Sequence, residues 1–388
     1  MPFNIEQHLD EITKLRHRLH AMAEVSGEEQ DTSEYIADFL ESTKPDQLKT
    51  GVGGNGILAT YASGNAGPHI LIRCELDALP ISDQIEVDYR SQTEGVGHKC
   101  GHDGHMAMVC GVARLLQQRT LQSGKVTLLF QPAEETGKGA ERVIEDEQFQ
   151  ELDLDYCFAL HNLPGFEKHQ LVMRKDVFAA ASVGLIVNFQ GSTAHAAHPE
   201  EGKSPALAMA QTVQAFSSAP QFYSPLEKAA KVTVINANLG ERAFGTSPGK
   251  ATVMATLRTY DGDLLEKLKT KCLDIARRTA ETYELSMDYE WVEPFPATTN
   301  AKDGYKLVQL AAEKLELNIY EKPSPFSWSE DFGHFTSDIP GAMFGLGIGE
   351  EHPALHAESY DFEDEVIPTG ISMFMQIITE ISSSNNNE

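Results

Sequence analysis

Apolar segments of strand length alternate with amphipathic segments of helix length near both ends of the chain. This alternation predicts an open, largely parallel sheet with helices on both faces. Helical spacing of apolar residues also predicts helices between Ile5 and Ser42, and the glycines of 51–56 predict a hairpin turn. The predicted strands of this part cover 69–81, 125–132, 154–164 and 342–348, and further predicted helices cover 104–118, 139–146, 304–315 and 368–382.

The pattern changes between residues 177 and 293. Predicted strands at 181–191, 231–240, 249–260 and 285–293 and predicted helices at 204–218 and 263–283 follow the order β-α-β-β-α-β. That order is typical of a ferredoxin-like α+β unit. We therefore expect an α/β protein whose catalytic domain comprises 1–176 and 294–388, with a second domain inserted at 177–293.

Length and composition agree with a two-domain globular protein. The chain has 388 residues, of which 41% are hydrophobic and 23% charged. Its formal net charge of −27 argues against nucleic acid or an anionic membrane surface as a partner. Five cysteines in no paired pattern, and no signal-like or membrane-spanning stretch, predict a cytoplasmic protein.

Side chains that bind metals follow four of the predicted strands. The segment GHKCGHDGH at 97–105 offers His98, Cys100, His102, Asp103 and His105. Glu134 and Glu135 follow the second strand, His161 follows the apolar run DYCFAL of the third, and His356 follows the last. Ligands bind at the carboxyl ends of strands in open α/β sheets, so we expect these groups to meet in one pocket. In the first segment, we expect Asp103 to cap a helix that begins near Gly104.

The mixture of donor types indicates a transition metal. A thiolate, imidazoles and carboxylates suit Zn²⁺, with Mn²⁺, Co²⁺ or Ni²⁺ as further candidates, and two ions sharing a water would use all of these ligands. Neighbouring side chains diverge, so one carboxylate of Glu134-Glu135 can bind metal while the other faces the substrate as a general base. A solvated acidic pair is the alternative for an isolated Glu-Glu dipeptide.

Other residues carry weaker signals. Asp77, at a strand end, either orients a histidine ligand or belongs to a turn. Arg258, on a strand of the inserted domain, either grips a substrate carboxylate or forms a surface ion pair. The segment GTSPG at 245–249 matches the nucleophile-elbow spacing, but Pro248 has no backbone N–H for an oxyanion, so we reject a serine nucleophile there.

Eight segments in a fixed order resemble the aminoacylase/carboxypeptidase-G superfamily of two-metal peptidases. The similarity is strongest to the amidohydrolase branch, which contains hippurate hydrolase, N-acetyl-diaminopimelate deacetylase and the plant auxin-conjugate hydrolases. The segments are HRLHAMAEVSGEE, IRCELDALPI, GHKCGHDGH, QPAEETGKGA, LHNLP, GSTAHAAHPEEGKSPA, SEDF and LHAESYDF.

The resemblance implies a role for each candidate. It implies Glu134 as the general acid/base and five metal ligands, which are Cys100, His102, Glu135, His161 and His356. It further implies that the inserted domain is a lid and homodimerisation module, and that His195 stabilises the oxyanion.

Three departures from the family pattern bear on the substrate. Glu75 stands where the family usually has Asp, Lys99 replaces a small residue and adds a positive charge beside a ligand, and Gly245 replaces an Asn. The metal ligands themselves are intact. The sequence therefore predicts a metal-dependent amidohydrolase acting on N-acyl amino acids or related small amide conjugates. A dipeptidase or exopeptidase of the same superfamily and a non-enzymatic metal-binding protein are the alternatives.

Overall fold

A computed structural model describes residues 4–118 and 121–383. The strands are β1 (Gln47–Val52), β2 (Gly56–Ala62), β3 (His69–Glu75), β4 (Lys125–Gln131), β5 (Tyr156–Pro164), β6 (Leu171–Met173), β7 (Asp176–Ala179), β8 (Ala181–Gln190), β9 (Ala194–His195), β10 (Ala230–Leu239), β11 (Thr246–Ser247), β12 (Lys250–Thr259), β13 (Ser286–Phe295), β14 (Thr298–Asn300), β15 (Ile319–Glu321) and β16 (Gly341–Gly349). The helices are α1 (Leu9–Ala21), α2 (Gln30–Ser42), α3 (His102–Leu116), α4 (Gly139–Glu145), α5 (Glu147–Gln150), α6 (Ala206–Tyr223), α7 (Gly262–Thr282), α8 (Lys302–Lys314), α9 (Gly333–Thr336) and α10 (Ile367–Ser383).

These elements form two compact units. The first comprises Met1–Phe178, Thr298–Pro325 and Glu330–Glu388, and the second comprises Ala179–Ala297 with Phe326–Ser329. Each unit has its own cluster of buried apolar side chains. No helix of the described part of the chain is long and apolar enough to cross a membrane.

The first unit is built on an eight-stranded sheet with the strand order β1-β2-β4-β3-β5-β16-β6-β15. Its four central strands, β4, β3, β5 and β16, run parallel to one another, whereas β1 and β2 form the predicted antiparallel hairpin at one edge. All seven residues of β3 are buried, as expected for a parallel strand covered on both faces. The predicted α/β architecture is confirmed.

The helices of the first unit follow the predicted amphipathic patterns. In α1, Ile12, Leu15 and Leu19 keep helical spacing and are buried. This helix packs on α3, and α3 and α8 both pack on α10. The shorter helices α4, α5 and α9 form a second group. Helices thus cover the sheet and leave its strand ends for the loops that carry the chemistry.

The second unit is a four-stranded antiparallel sheet with two helices. The strand order is β10-β12-β8-β13, and α6 and α7 connect its strands in the sequence β8-α6-β10-β12-α7-β13. The Asp261 carboxylate caps α7 by accepting a hydrogen bond from the Leu264 backbone N–H at 2.8 Å. This is the predicted ferredoxin-like arrangement.

Candidate active site

Three loops and one strand at the carboxyl edge of the parallel sheet build the site. Asp77 follows β3, the Glu134–Glu135 pair follows β4, and His356 lies in the loop after β16. His161 lies within β5, which continues past the histidine to Pro164 as the predicted strand at 154–164 does. Parallel strands end at the same edge of a sheet, so residues far apart in sequence meet there.

Cys100 and His102, the first two predicted ligands, lie at the start of α3. Gly101 precedes the helix with φ +92°, and a Cβ there would lie 2.6 Å from both Asn162 Oδ1 and Tyr360 Oη. Only glycine fits this left-handed, crowded position. The helix therefore begins at His102, and the prediction that Asp103 caps it is wrong. Asp103 is buried in the first turn and faces α1.

A strained turn after β4 presents the two glutamates. Ala133 has φ +52°, which is unfavourable for a residue with a Cβ, and its N–H donates to the Glu29 carboxylate at 2.8 Å. The Asp77 carboxylate accepts from the Glu135 backbone N–H at 3.0 Å, and the Asp77 carbonyl accepts from His102 Nδ1 at 2.8 Å. Asp77 thus touches both an imidazole and the glutamate turn.

All five predicted ligands lie in one cluster. Cys100 Sγ lies 3.4 Å from His161 Nε2, and Glu135 Oε1 lies 3.9 Å from both His102 Nε2 and His356 Nε2. Five groups of three potential ligand atoms lie within 4.8 Å of one another among the described residues. Two of the five consist only of predicted ligands, one of Cys100, His102 and His161 and the other of Cys100, Glu135 and His356. Cys100 belongs to both groups.

The polar atoms of this cluster fit a cation. His102 Nε2 and Glu135 Oε1 are buried and have no hydrogen-bond partner among the described residues. Burial, together with the charges of Glu135 and Glu134, raises the pKa of the Cys100 thiol well above its usual range. Burial alone would lower the pKa of His102, but Asp77 and Glu75 outweigh it and raise that pKa to about 10. The raised pKa values mean that the Cys100 thiol and the His102 imidazole hold protons in the metal-free protein. Bound cations would replace these protons.

Glu134, the predicted general base, lies beside the predicted ligands, and its Oε2 is 4.0 Å from His102 Nε2. It belongs to neither of the two groups that share Cys100, but it forms a group with His102 and Glu135 and another with Glu330 and Asp331. Burial, followed by the charges of Glu330 and Glu135, raises the pKa of Glu134 well above its usual range. A buried carboxyl beside a metal-ligand cluster has the properties of a general acid/base.

Sequence reasoning assigned no role to a second acidic pair behind Glu134. Arg73 is fully buried in β3, and its Nη2 lies 2.9 Å from Glu330 and 2.6 Å from Asp331. The Asp331 backbone N–H donates to Glu134 Oε1 at 3.4 Å. A charged side chain in a buried strand needs a buried counter-charge. Arg73 in the sequence of β3 therefore indicated that acidic partners exist, although it did not identify Glu330 and Asp331. Four carboxyls act on this guanidinium: Glu75, Glu330 and Asp331 form ion pairs with it, and the charge of Glu134 also acts on it.

Of the remaining candidates of the first ligand segment, His105 and Asp103 have other partners, whereas both ring nitrogens of His98 are buried without a hydrogen-bond partner among the described residues. His105 lies between Glu75 Oε2 at 2.7 Å and Asn162 Oδ1 at 2.6 Å. His98 and Asp103 are buried, and neither belongs to a three-ligand group of the described residues. The ammonium of Lys99 pairs with Asp83 and donates to the Tyr360 carbonyl at 2.8 Å. Its charge is therefore neutralised within the protein, contrary to the positive charge expected beside the ligand.

Two predicted residues lie in the second unit. His195 is exposed on β9, which pairs with β11 so that His195 lies opposite Thr246. Arg258 on β12 donates from Nη1 to the Ser327 carbonyl and the Ser329 hydroxyl, both at 2.7 Å. A Cβ on Gly245 would meet no atom within 4 Å, so the family's Asn would fit at this position.

A cluster of metal ligands with a buried spare carboxylate, at the carboxyl edge of a parallel sheet, defines the class as a metal-dependent hydrolase. The chain belongs to peptidase family M20/M25/M40, whose model matches residues 71–380. It is therefore a hydrolase acting on C–N bonds, as the sequence predicted.

Known proteins resemble the chain over nearly its whole length. It is 31% identical over 361 residues to the N-acetyl-L-cysteine deacetylase of Bacillus subtilis. The aligned region covers 92% of this chain and 84% of that protein. A dinuclear metal-binding peptidase of the M20 family from Bacillus subtilis superposes with a TM-score of 0.82 at 23% identity, over 98% of this chain and 99% of that one. The aminobenzoyl-glutamate utilization protein of Klebsiella pneumoniae superposes with a TM-score of 0.75 at 19% identity, over 97% of each chain. The solved structures share its fold.

Proposed function

We propose that the protein hydrolyses the amide bond of N-acyl amino acids or related small amide conjugates. The observation that carries this proposal is the convergence of the five predicted ligands in one cluster with the buried Glu134 carboxylate beside them. The 31% identity to an N-acetyl-L-cysteine deacetylase supports an N-acyl amino acid as substrate. A dipeptide or other short peptide is the alternative substrate within the same family.

We propose two divalent metal ions per subunit. Cys100, His102 and His161 would hold one ion, and Cys100, Glu135 and His356 the other, because these are the two converging groups that consist only of the predicted ligands. A shared thiolate with imidazoles favours Zn²⁺, with Mn²⁺ as the other main candidate and Co²⁺ or Ni²⁺ as further ones. Bound ions would acidify a water molecule and polarise the amide carbonyl.

Side chains of the protein would transfer the proton of the attacking water, position the ligands and contact the substrate. Glu134 accepts a proton from the attacking water and gives it to the departing amine, so one carboxylate serves both steps. Asp77 holds His102 and the backbone of Glu135 in place through the hydrogen bonds described above. His195 is proposed to donate to the oxyanion from its own or the partner subunit, and Arg258 to contact a substrate carboxylate.

Replacement of Glu134 by Gln tests the proposal. The amide keeps the volume of the side chain but cannot accept the proton, so kcat should fall by about 10²–10⁴-fold while metal content stays at two ions per chain. Glu28→Gln, which alters an exposed glutamate, is the matched control. Turnover should be measured on N-acetyl- and N-benzoyl-amino acids and on free dipeptides, each with Mn²⁺, Zn²⁺ or Co²⁺. Normal turnover by Glu134→Gln would remove this residue from the mechanism, and preference for dipeptides would select the alternative substrate.

We further propose that the second unit is a lid and dimerisation domain, and that the protein is cytoplasmic. Exposed apolar side chains on the second unit support dimerisation, since Leu207 of α6 is 62% exposed and Ile235 of β10 is also 62% exposed. All five cysteines are unpaired and buried, which supports a reducing compartment.

A further inference from the structure

A buried charge cluster connects α1 to the ligand-bearing loops. Arg16 and His20 of α1 are both fully buried. Charged side chains are seldom buried unless they are paired, so both need partners. His20 lies in the segment HRLHAMAEVSGEE, before residues 71–380 that the family model matches, and neither Arg16 nor His20 has a role in the proposed chemistry.

Arg16 pairs with acidic groups of two segments. Its Nε lies 3.0 Å from Asp103 Oδ2, and its Nη2 contacts the Asp361 carboxylate. Its Nη2 also donates to the Phe362 carbonyl at 3.3 Å. Arg16 therefore connects the first turn of α3 to the loop that follows His356.

His20 joins a third segment to the same cluster. Its Nδ1 lies 2.8 Å from Asp103 Oδ2 and its Nε2 lies 3.0 Å from Asp83 Oδ2. Asp83 in turn pairs with the ammonium of Lys99. We call these six residues the α1 clamp: Arg16, His20, Asp83, Lys99, Asp103 and Asp361.

Clamp residues lie next to the metal ligands along the chain. Lys99 precedes Cys100 and Asp103 follows His102. The Lys99 carbonyl also accepts from the His356 backbone N–H at 2.7 Å. The clamp thus holds the backbone at three of the five proposed ligands, although none of its side chains belongs to a ligand group.

We propose that Arg16 and His20 are positioning residues that hold the Cys100, His102 and His356 segments at the spacing metal binding requires. The inference rests on the ligand set of the proposed function. Groups behind metal ligands fix ligand orientation, and their loss weakens metal affinity by about 10–100-fold. Lys99 stands where the family usually has a small residue. In this proposal its ammonium completes the α1 clamp by pairing with Asp83.

Metal titration of three full-length variants tests the α1 clamp. His20→Gln and Asp83→Asn each break it, whereas Arg114→Gln breaks the 2.6 Å ion pair between Arg114 of α3 and Glu11 of α1 and leaves the clamp intact. Each protein is stripped with a chelator and titrated with Co²⁺, with thiolate and ligand-field absorption as the signal. Zn²⁺ affinity is then measured by competition, and thermal unfolding of the stripped proteins reports the loss of stability.

His20→Gln and Asp83→Asn should each bind Co²⁺ and Zn²⁺ about 10–100-fold more weakly than the wild type. Their Co²⁺ spectra should also differ from that of the wild type. Arg114→Gln should lose stability but keep the affinity and spectrum of the wild type. Unchanged affinity and spectra in the clamp variants would overturn the inference, as would equal weakening in Arg114→Gln. If His20→Gln does not fold, Asp83→Asn decides. A wild-type protein that binds no Co²⁺ or Zn²⁺ would instead refute the proposed function.

Discussion

Individual residues with metal-binding chemistry were predictable from the sequence, but their partners were not. Cys100, Glu135 and His356 follow different strands, and the structure brings them within one ligand group. The partners of Arg73 could not be predicted, since Glu330 and Asp331 lie more than two hundred residues away in a segment without periodicity. Long-range pairing of buried charges depends on tertiary structure, which no local pattern encodes.

His20 gives a prediction at this scale for the pH dependence of stability. Burial by itself would lower the pKa of His20, but the charge of Asp103 and hydrogen bonds with Asp103 and Asp83 raise it to about 9. Arg16 opposes this shift, and Asp361, whose carboxylate lies 3.9 Å from His20, also faces the ring. A pKa above the unfolded value of about 6.5 means that protonated His20 stabilises the fold fully below that pH. The contribution is lost as the pH rises through about 9.

The free energy of unfolding should therefore differ between wild type and His20→Gln most at pH 6 and least above pH 9. Over this window we expect the difference to shrink by about 2–3 kcal/mol. Urea unfolding of the metal-free proteins at several pH values measures it, with His198→Gln, an exposed histidine of the second unit, as the control. A difference that stays constant with pH would show that His20 does not carry this charge.

At the scale of elements, hydrophobic periodicity predicted most helices and strands, because packing against a core determines both. The start of α3 was misplaced by two residues. Gly101 adopts a left-handed conformation and begins the helix before Asp103, and the close approach of Asn162 and Tyr360 that requires glycine is a tertiary contact. His161 follows the apolar run DYCFAL inside the predicted strand at 154–164, and β5 extends past it to Pro164 in the same way.

The edge strand β10 gives a prediction about assembly. It lies at the edge of its sheet and carries the exposed Ile235, and it packs against α6, which carries the exposed Leu207. Exposed edges with apolar side chains tend to pair with another chain. We expect the wild type to be a dimer in light scattering and the Leu207→Asp/Ile235→Asp double variant to be a folded monomer.

Leu310→Asp, which alters an exposed leucine of α8 in the first unit, is the control for this double substitution and should remain dimeric. A monomeric wild type, or a double variant with unchanged mass, would contradict dimerisation through this face.

At the scale of the whole molecule, the sequence predicted an inserted domain, but one segment had no signal. Phe326–Ser329 belongs to the second unit although the chain on both sides of it belongs to the first. Its attachment depends on non-local contacts, such as the hydrogen bond from the Ala180 N–H to the Trp328 carbonyl at 3.0 Å. Four residues are too few to show a periodic pattern. The net charge of −27 likewise excluded partner classes without locating the site.

Anomalous X-ray diffraction from crystals grown with Zn²⁺ tests the central claim most directly. The account predicts two peaks about 3.5–4 Å apart at the carboxyl edge of the parallel strands. Cys100, His102 and His161 should surround one peak and Cys100, Glu135 and His356 the other, with Glu134 bound to neither. Peaks located elsewhere, or none among these side chains at saturating Zn²⁺, would contradict the account.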